Sequence, residues 1–69
     1  MQRKEQKTAH QLANMIEKVL GRQVFIWVHK HAVHGWHATV FTSAIEASSL
    51  QPIVDEIARQ LRAHYDLKE

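Results

Sequence analysis

The chain contains no cysteine, a single proline and only two glycines in 69 residues. Without cysteine it has no disulfide bridges and no thiolate metal ligands, which suits a reducing compartment such as the cytoplasm. A chain of this length buries only about 60% of the surface that its unfolded form exposes, so it lies near the limit of independent stability. Oligomerisation is a common way for such a small domain to gain stability.

Long apolar runs and a strong charge of either sign are also lacking. No stretch approaches the ~20 apolar residues of a membrane helix, and the first seven residues lead into no secretory hydrophobic segment. We therefore expect a soluble, cytoplasmic protein. The net charge is +2, and Arg3, Lys4 and Lys7 against Glu5 account for all of it. The remaining chain has no net charge, which argues against a broad nucleic-acid footprint of clustered lysine and arginine.

The first amphipathic segment follows a polar lead-in. Residues 1–7 lack periodicity and are predicted to be flexible, whereas residues 8–69 are predicted to form one αββα domain. Thr8 and Gln11 match a capping box, and Gly21 is the residue type that ends a helix in the left-handed conformation. Apolar residues recur between them at helical spacing: Leu12, Met15, Ile16, Val19 and Leu20. The sequence therefore predicts a helix from about Thr8 to Leu20.

Two strands rich in β-branched and aromatic residues come next. They are predicted from Gln23 to about Lys30 and from Trp36 to about Thr42, with a turn at 31–35. Successive side chains of a strand point to opposite sides, so the segment Val24-Phe25-Ile26-Trp27-Val28 has no polar face. The sequence thus predicts an antiparallel hairpin that needs cover on both sides.

The strand register stays open. If Val28 lies opposite Ala38, then Phe25, Trp27, Thr39 and Phe41 share one side. A slip of one residue brings Trp36, Ala38 and Val40 to the side of Phe25 and Trp27 instead. Both registers leave two apolar faces.

A second, longer helix is predicted to follow a connection at 43–48. Ser49 is a plausible N-cap, and Pro52 would lie in the first turn, where its missing N–H costs nothing. An apolar stripe continues through Leu50, Ile53, Val54, Ile57, Ala58, Leu61 and Tyr65. The expected fold is therefore α+β in the order α-β-β-α. Its predicted core consists of Leu12, Ile16, Val19, Leu20, Val24, Ile26, Val28, Val40, Ile53, Ile57 and Leu61.

The exposed hairpin leads us to expect a partner. Two helices can cover one face of a two-stranded hairpin, and the sequence offers nothing to cover the other. The economical solution is a second copy related by a two-fold axis, joined edge to edge, face to face or by exchange of a helix. The residues predicted to contact that partner are Phe25, Trp27, Trp36 and Phe41. The alternative is a monomer with one helix on each face.

Histidines form the densest cluster of functional groups in the hairpin. Imidazoles of His29, His31 and His37 could approach one zinc, copper or nickel ion, although the hairpin offers no Cys, Asp or Glu to complete a set. They could also act as a proton-linked switch, since imidazole titrates near neutrality. The structural alternative is that they are solvated turn residues, and no cofactor is expected.

The sequence offers limited support for two further classes of function. Phe25, Trp27 and Phe41 could form a stacking platform for nucleic acid, with Arg22 and Lys30 near phosphates. An enzyme has the least support, because the serines lack a glycine-rich elbow and so little volume is enclosed. The sequence therefore predicts a small non-enzymatic protein that self-associates through its hairpin, as a binding or regulatory module.

Overall fold

The computed structural model describes residues 4–68. Its elements in chain order are β1 (Glu5–Lys7), α1 (Ala9–Leu20), β2 (Phe25–His31), β3 (Gly35–Phe41), α2 (Ala44–Arg62) and β4 (Tyr65–Leu67). The predicted α+β class, with two helices around an antiparallel hairpin in the order αββα, is confirmed. Within residues 4–68, neither helix is long and apolar enough to cross a membrane.

Helix α1 begins and ends where its sequence signals predict. The Gln11 backbone N–H donates to Thr8 Oγ1 at 3.1 Å, and the Thr8 N–H donates back to Gln11 Oε1 at 2.9 Å. Gly21 ends the helix with a φ of 75°, and its N–H donates to the carbonyl of Glu17. These contacts satisfy backbone groups that a helix end leaves without partners.

Helix α2 begins five residues before the predicted Ser49 cap, and this prediction was wrong. Ser43 is the N-cap, and its hydroxyl accepts the Glu46 N–H at 3.3 Å. The segment from Ser43 to Glu46 thus carries a second Ser-x-x-Glu start signal. Pro52 therefore lies inside the helix rather than in its first turn. Its missing N–H leaves the carbonyl of Ser48 without its usual helical donor, and both residues are exposed, so water can reach this carbonyl.

The hairpin adopts the first of the two registers considered. Val28 lies opposite Ala38, and Phe25 lies opposite Phe41. The turn between the strands ends at Gly35, whose φ of 88° lies in the left-handed region that favours glycine. The register therefore sends alternate side chains of β2 and β3 to the same two faces.

Within residues 4–68, the helices cover only one face of the hairpin. Both helices pack on this inner face, where Trp36 and Ala38 join the predicted aliphatic residues. Among the predicted core residues, Val19 is mostly exposed and Ile53 is about half exposed, so these two assignments were wrong. The buried core consists of Leu12, Ile16, Ile26, Val28, Trp36, Ala38, Val40, Leu50, Val54, Ile57 and Ala58. The alternative of one helix on each face does not fit this packing.

Both ends of the described chain pair in a short parallel ribbon, β1 with β4. Glu5 lies beside Tyr65 and Lys7 beside Leu67. Residues 5–7 were predicted to be part of a flexible lead-in, but they form a strand whose backbone bonds to the end of the chain. The Glu5 N–H donates to the His64 carbonyl at 3.3 Å. Residues 1–3 of that predicted lead-in, and residue 69, lie outside the described residues.

Candidate interface on the β-hairpin

The outer face of the hairpin is the side that points away from the helices. It consists of seven alternate residues: Phe25, Trp27, His29 and His31 from β2, and His37, Thr39 and Phe41 from β3. Phe25, Phe41 and Trp27 are 67%, 52% and 49% exposed, respectively. The ring centroids of Phe25 and Phe41 are 5.8 Å apart, and those of Trp27 and Phe41 are 6.0 Å apart. The structure thus brings three predicted contact residues into one exposed aromatic cluster.

Trp36 lies on the opposite face from that cluster. It is only 1% exposed, and its indole Nε1–H donates to the Tyr65 carbonyl at 3.1 Å. The guanidinium carbon of Arg62 lies 5.8 Å from the centre of its ring. The predicted group of four contact residues therefore divides in two, because the register places Trp36 in the core, away from any surface a partner could reach.

The free edge of β3 is closed by side chains of α2. The Val40 N–H donates to Gln51 Oε1 at 2.9 Å, and Gln51 Nε2 donates to the Ala38 carbonyl at 3.0 Å. The same Nε2 donates to Asp55 Oδ1 at 2.7 Å, which fixes the direction of the amide. Arg62 donates to the Trp36 carbonyl at 3.3 Å. The Gln51 amide therefore occupies the place that a peptide group of a neighbouring strand would take.

The outer edge of β2 has no such cover. In an antiparallel ladder the N–H and C=O of one residue point to the same side, and adjacent residues alternate. Since Val40 and Ala38 turn their bonding groups away from β2, their partners Ile26 and Val28 turn theirs away from β3. Among residues 4–68, no strand or side chain bonds to these groups of Ile26 and Val28. Two consecutive outward positions of β2 thus offer unpaired donors and acceptors.

A groove runs beside this edge, between α1 and the start of β2. Its helical wall includes His10 and Glu17, and its strand wall includes Val24 and Phe25. Val24 is only partly buried, so the strand wall of the groove presents an apolar side chain in the same groove as the Glu17 carboxylate. An added strand would meet both the unpaired backbone and this wall.

Four histidines cluster at the turn end of the outer face. The ring centroid of His31 lies 5.0 Å from that of His34 and 4.8 Å from that of His37, while His29 lies 6.2 Å from His37. The His31 Nδ1 accepts the backbone N–H of residues 33 and 34, both at 3.2 Å, so this ring closes the turn. His29 Nε2 lies 3.2 Å from the Thr39 hydroxyl.

The same histidines bear on metal binding and on protonation. Within residues 4–68, no three His, Asp or Glu side chains are arranged to hold a metal ion, although the rings of the predicted set His29, His31 and His37 are neighbours. The pKa of His37 is lowered from its ordinary value, chiefly by burial and then by the charges of Arg62 and His31, while Asp55 acts in the opposite direction. The cluster therefore favours neutral imidazole at His37.

Sequence reasoning missed Gln51 and Arg62 as parts of the site. Neither belongs to a motif, and each acts on β3 only because α2 lies across its edge. Comparisons with protein-family models, with curated proteins and with solved structures gave no match. The proposed function therefore rests on the geometry of the chain alone.

Proposed function

We propose that this chain is a non-enzymatic protein that forms a homodimer through its β-hairpin. The single observation that carries the proposal is the one-sided packing of the hairpin. Both helices cover the inner face, while Phe25, Trp27 and Phe41 are about half exposed or more on the outer face. Exposed apolar patches of this kind mark interaction surfaces in soluble proteins.

A second copy is a suitable partner because the outer face carries no permanent charge. Its seven residues include no Asp, Glu, Lys or Arg, so two copies meet without repulsion while the histidines are neutral. Three half-exposed aromatic side chains present roughly 300 Å² of surface in each copy. Burying about half of it in both copies gains about 8 kcal/mol, which is comparable with the roughly 4–15 kcal/mol that association costs. Burial of these rings therefore offsets much of the cost of association, and further affinity has to come from other contacts between the copies, so we expect a dimer that is micromolar or weaker.

Sedimentation velocity and light scattering over a micromolar concentration series test the proposal. The expected result is a mass that rises from one chain to two. Trp27→Lys places a charge within the aromatic cluster and should keep the protein monomeric with an unchanged circular dichroism spectrum. The matched control is Val33→Lys, which adds the same charge at the hairpin tip, where Val33 is 79% exposed. A mass of one chain at every concentration contradicts the homodimer.

A second candidate function is the binding of single-stranded nucleic acid. The observation in its favour is that residues 23–42 contain no Asp or Glu, so no carboxylate of the hairpin itself repels a phosphate near the exposed rings. Bases stack on such rings with little sequence preference. Fluorescence anisotropy with labelled single-stranded RNA and DNA tests it, and binding that does not weaken with added salt counts against it.

A further inference from the structure

We infer that the second copy joins along the outer edge of β2, so that the two hairpins form one four-stranded antiparallel sheet. This inference rests on the proposed homodimer and specifies which part of the hairpin makes it. Face-to-face packing and exchange of a helix are the competing arrangements. Three features of the described residues favour the edge.

The first feature is the difference between the two edges. The Gln51 amide blocks β3 by bonding to Val40 and Ala38, and Arg62 takes up the next outward carbonyl. Natural proteins commonly cover an edge strand in this way to prevent pairing with another chain. Helix α2 therefore protects β3 from a second strand, and β2 keeps Ile26 and Val28 available to one.

The second feature is the symmetry of those unpaired groups. If Ile26 pairs with Val28 of the second copy, two-fold symmetry pairs Val28 with Ile26 of the second copy. Both positions of both chains are then satisfied, and the axis passes between the two Trp27 residues. An axis through Ile26 would instead place Val28 opposite Val24, and an axis through Val28 would place Ile26 opposite Lys30. The axis at Trp27 pairs Ile26 and Val28 with each other in both copies, and we take it as the register of the proposed dimer.

This register also extends the aromatic cluster across the axis. The two Trp27 residues form a non-hydrogen-bonded pair, in which Cα atoms are only about 4.5 Å apart. Phe25 then lies opposite His29 of the second copy, and each pair lies on the outer face. Such cross-strand neighbours cover the sides of the rings that the single chain leaves exposed.

The third feature is charge complementarity on the inner side. In the same register, Lys30 of the second copy lies opposite Val24, in the groove whose helical wall carries Glu17. Within one chain, Val24 and Lys30 are about 20 Å apart along the strand, since each residue advances it by about 3.3 Å. The groove of each copy thus places the Glu17 carboxylate on the side of the sheet that Lys30 of the other copy reaches.

Amide hydrogen exchange measured by NMR tests the inference residue by residue. The N–H groups of Ile26 and Val28 should become protected as the protein concentration rises. Exchange should be about fivefold slower when the total concentration is about ten times the dissociation constant, because about one fifth of the chains are then monomers. The internal reference is Val40, whose N–H is already bonded to Gln51 and should show no such concentration dependence beyond that of the whole fold. A dimer in which Ile26 and Val28 stay unprotected overturns the edge but leaves the homodimer intact, whereas a chain that stays monomeric overturns both.

Charge reversal supplies a second measurement. Glu17→Lys and Lys30→Glu should each weaken the dimer by roughly two- to fivefold, as expected for a partly exposed ion pair. The double variant restores the opposite charges between copies and should recover most of the affinity. Unchanged affinity in the single variants, or no recovery in the double variant, contradicts this register. Circular dichroism of each variant checks that the monomer fold is retained.

Discussion

Each face of the hairpin carries one of the two tryptophans, yet within residues 4–68 the helices cover only the inner face. Trp36 is 1% exposed, whereas Trp27 is 49% exposed. The difference lies in what surrounds each ring. The indole N–H of Trp36 finds the Tyr65 carbonyl, and Ala38 beside it on the same face is small enough to admit the helices. Burial of a large amphipathic ring thus depends on a place for its polar atom as well as on hydrophobicity.

The largest expected effect is that of removing the buried ring. Trp36→Ala should lower the free energy of unfolding by about 3–5 kcal/mol, because it leaves a cavity in the core beside α2 and β4. Trp27→Ala should change the unfolding of the monomer by less than about 1 kcal/mol, since that ring is half exposed. Urea denaturation at a concentration where the chain is monomeric measures both.

A domain this small can lose its fold altogether when Trp36 becomes alanine. Trp36→Phe is the milder variant for that case. It should lower the free energy of unfolding by about 1–3 kcal/mol, because the Tyr65 carbonyl loses its donor. Equal losses of unfolding free energy for the Trp36 and Trp27 variants would mean that the inner and outer faces of the hairpin do not differ in packing.

The next effect concerns the covered edge of β3. Gln51→Ala should lower the free energy of unfolding by about 1–3 kcal/mol, because the Val40 N–H and the Ala38 carbonyl lose their partner. It should also raise light scattering, since β3 then becomes a second open edge. Gln60→Ala is the matched control on the same helix, where the side chain reaches only Glu56, and it should change stability by less than about 0.5 kcal/mol. If Gln51→Ala changes stability and light scattering no more than Gln60→Ala does, the Gln51 side chain does not protect the edge of β3.

The smallest effect is the pH dependence of the outer face. The pKa of folded His37 lies below its ordinary value of 6.5, chiefly because burial disfavours its charged form. The unfolded chain therefore binds this proton more readily, so the stability contributed by His37 is present above the ordinary value and is lost as the pH falls through the folded pKa. The urea midpoint should drop from mildly alkaline to mildly acidic pH, and the drop should be smaller in His37→Gln. His10→Gln is the control outside the cluster, and an identical drop in both variants would contradict the assignment.

Local signals in the sequence predicted part of the fold well. The capping box at Thr8 and the stop at Gly21 each involve contacts within a few residues, so they can be read directly from the chain. The start of α2 was missed because two different start signals lie close together. Ser49 followed by Pro52 fits the pattern of an N-cap and a first turn. The helix starts earlier, at Ser43, and Leu50 and Val54 lie buried within it.

The strand register of the hairpin could not be predicted from the sequence. Both faces of β2 are apolar, so alternation alone does not decide which one meets the helices. Trp36 was predicted as a contact residue, and the other register would have put it on the side of Phe25 and Trp27. Its burial instead depends on β4, far away in sequence. The cover of β3 by Gln51 likewise requires the position of a whole helix. Aromatic clustering of Phe25, Trp27 and Phe41 was predictable because one of the two registers already contained it.

The parallel ribbon of β1 and β4 determines how the domain responds to tension. Because the two strands run in the same direction, the chain leaves the ribbon at opposite ends, beyond Glu5 on one side and beyond Leu67 on the other. A pull on both flanks therefore slides the strands past each other and loads their hydrogen bonds together, instead of peeling them apart one after another. With only three residues in each strand, this clamp is short, so we expect it to yield first when the ends are drawn apart.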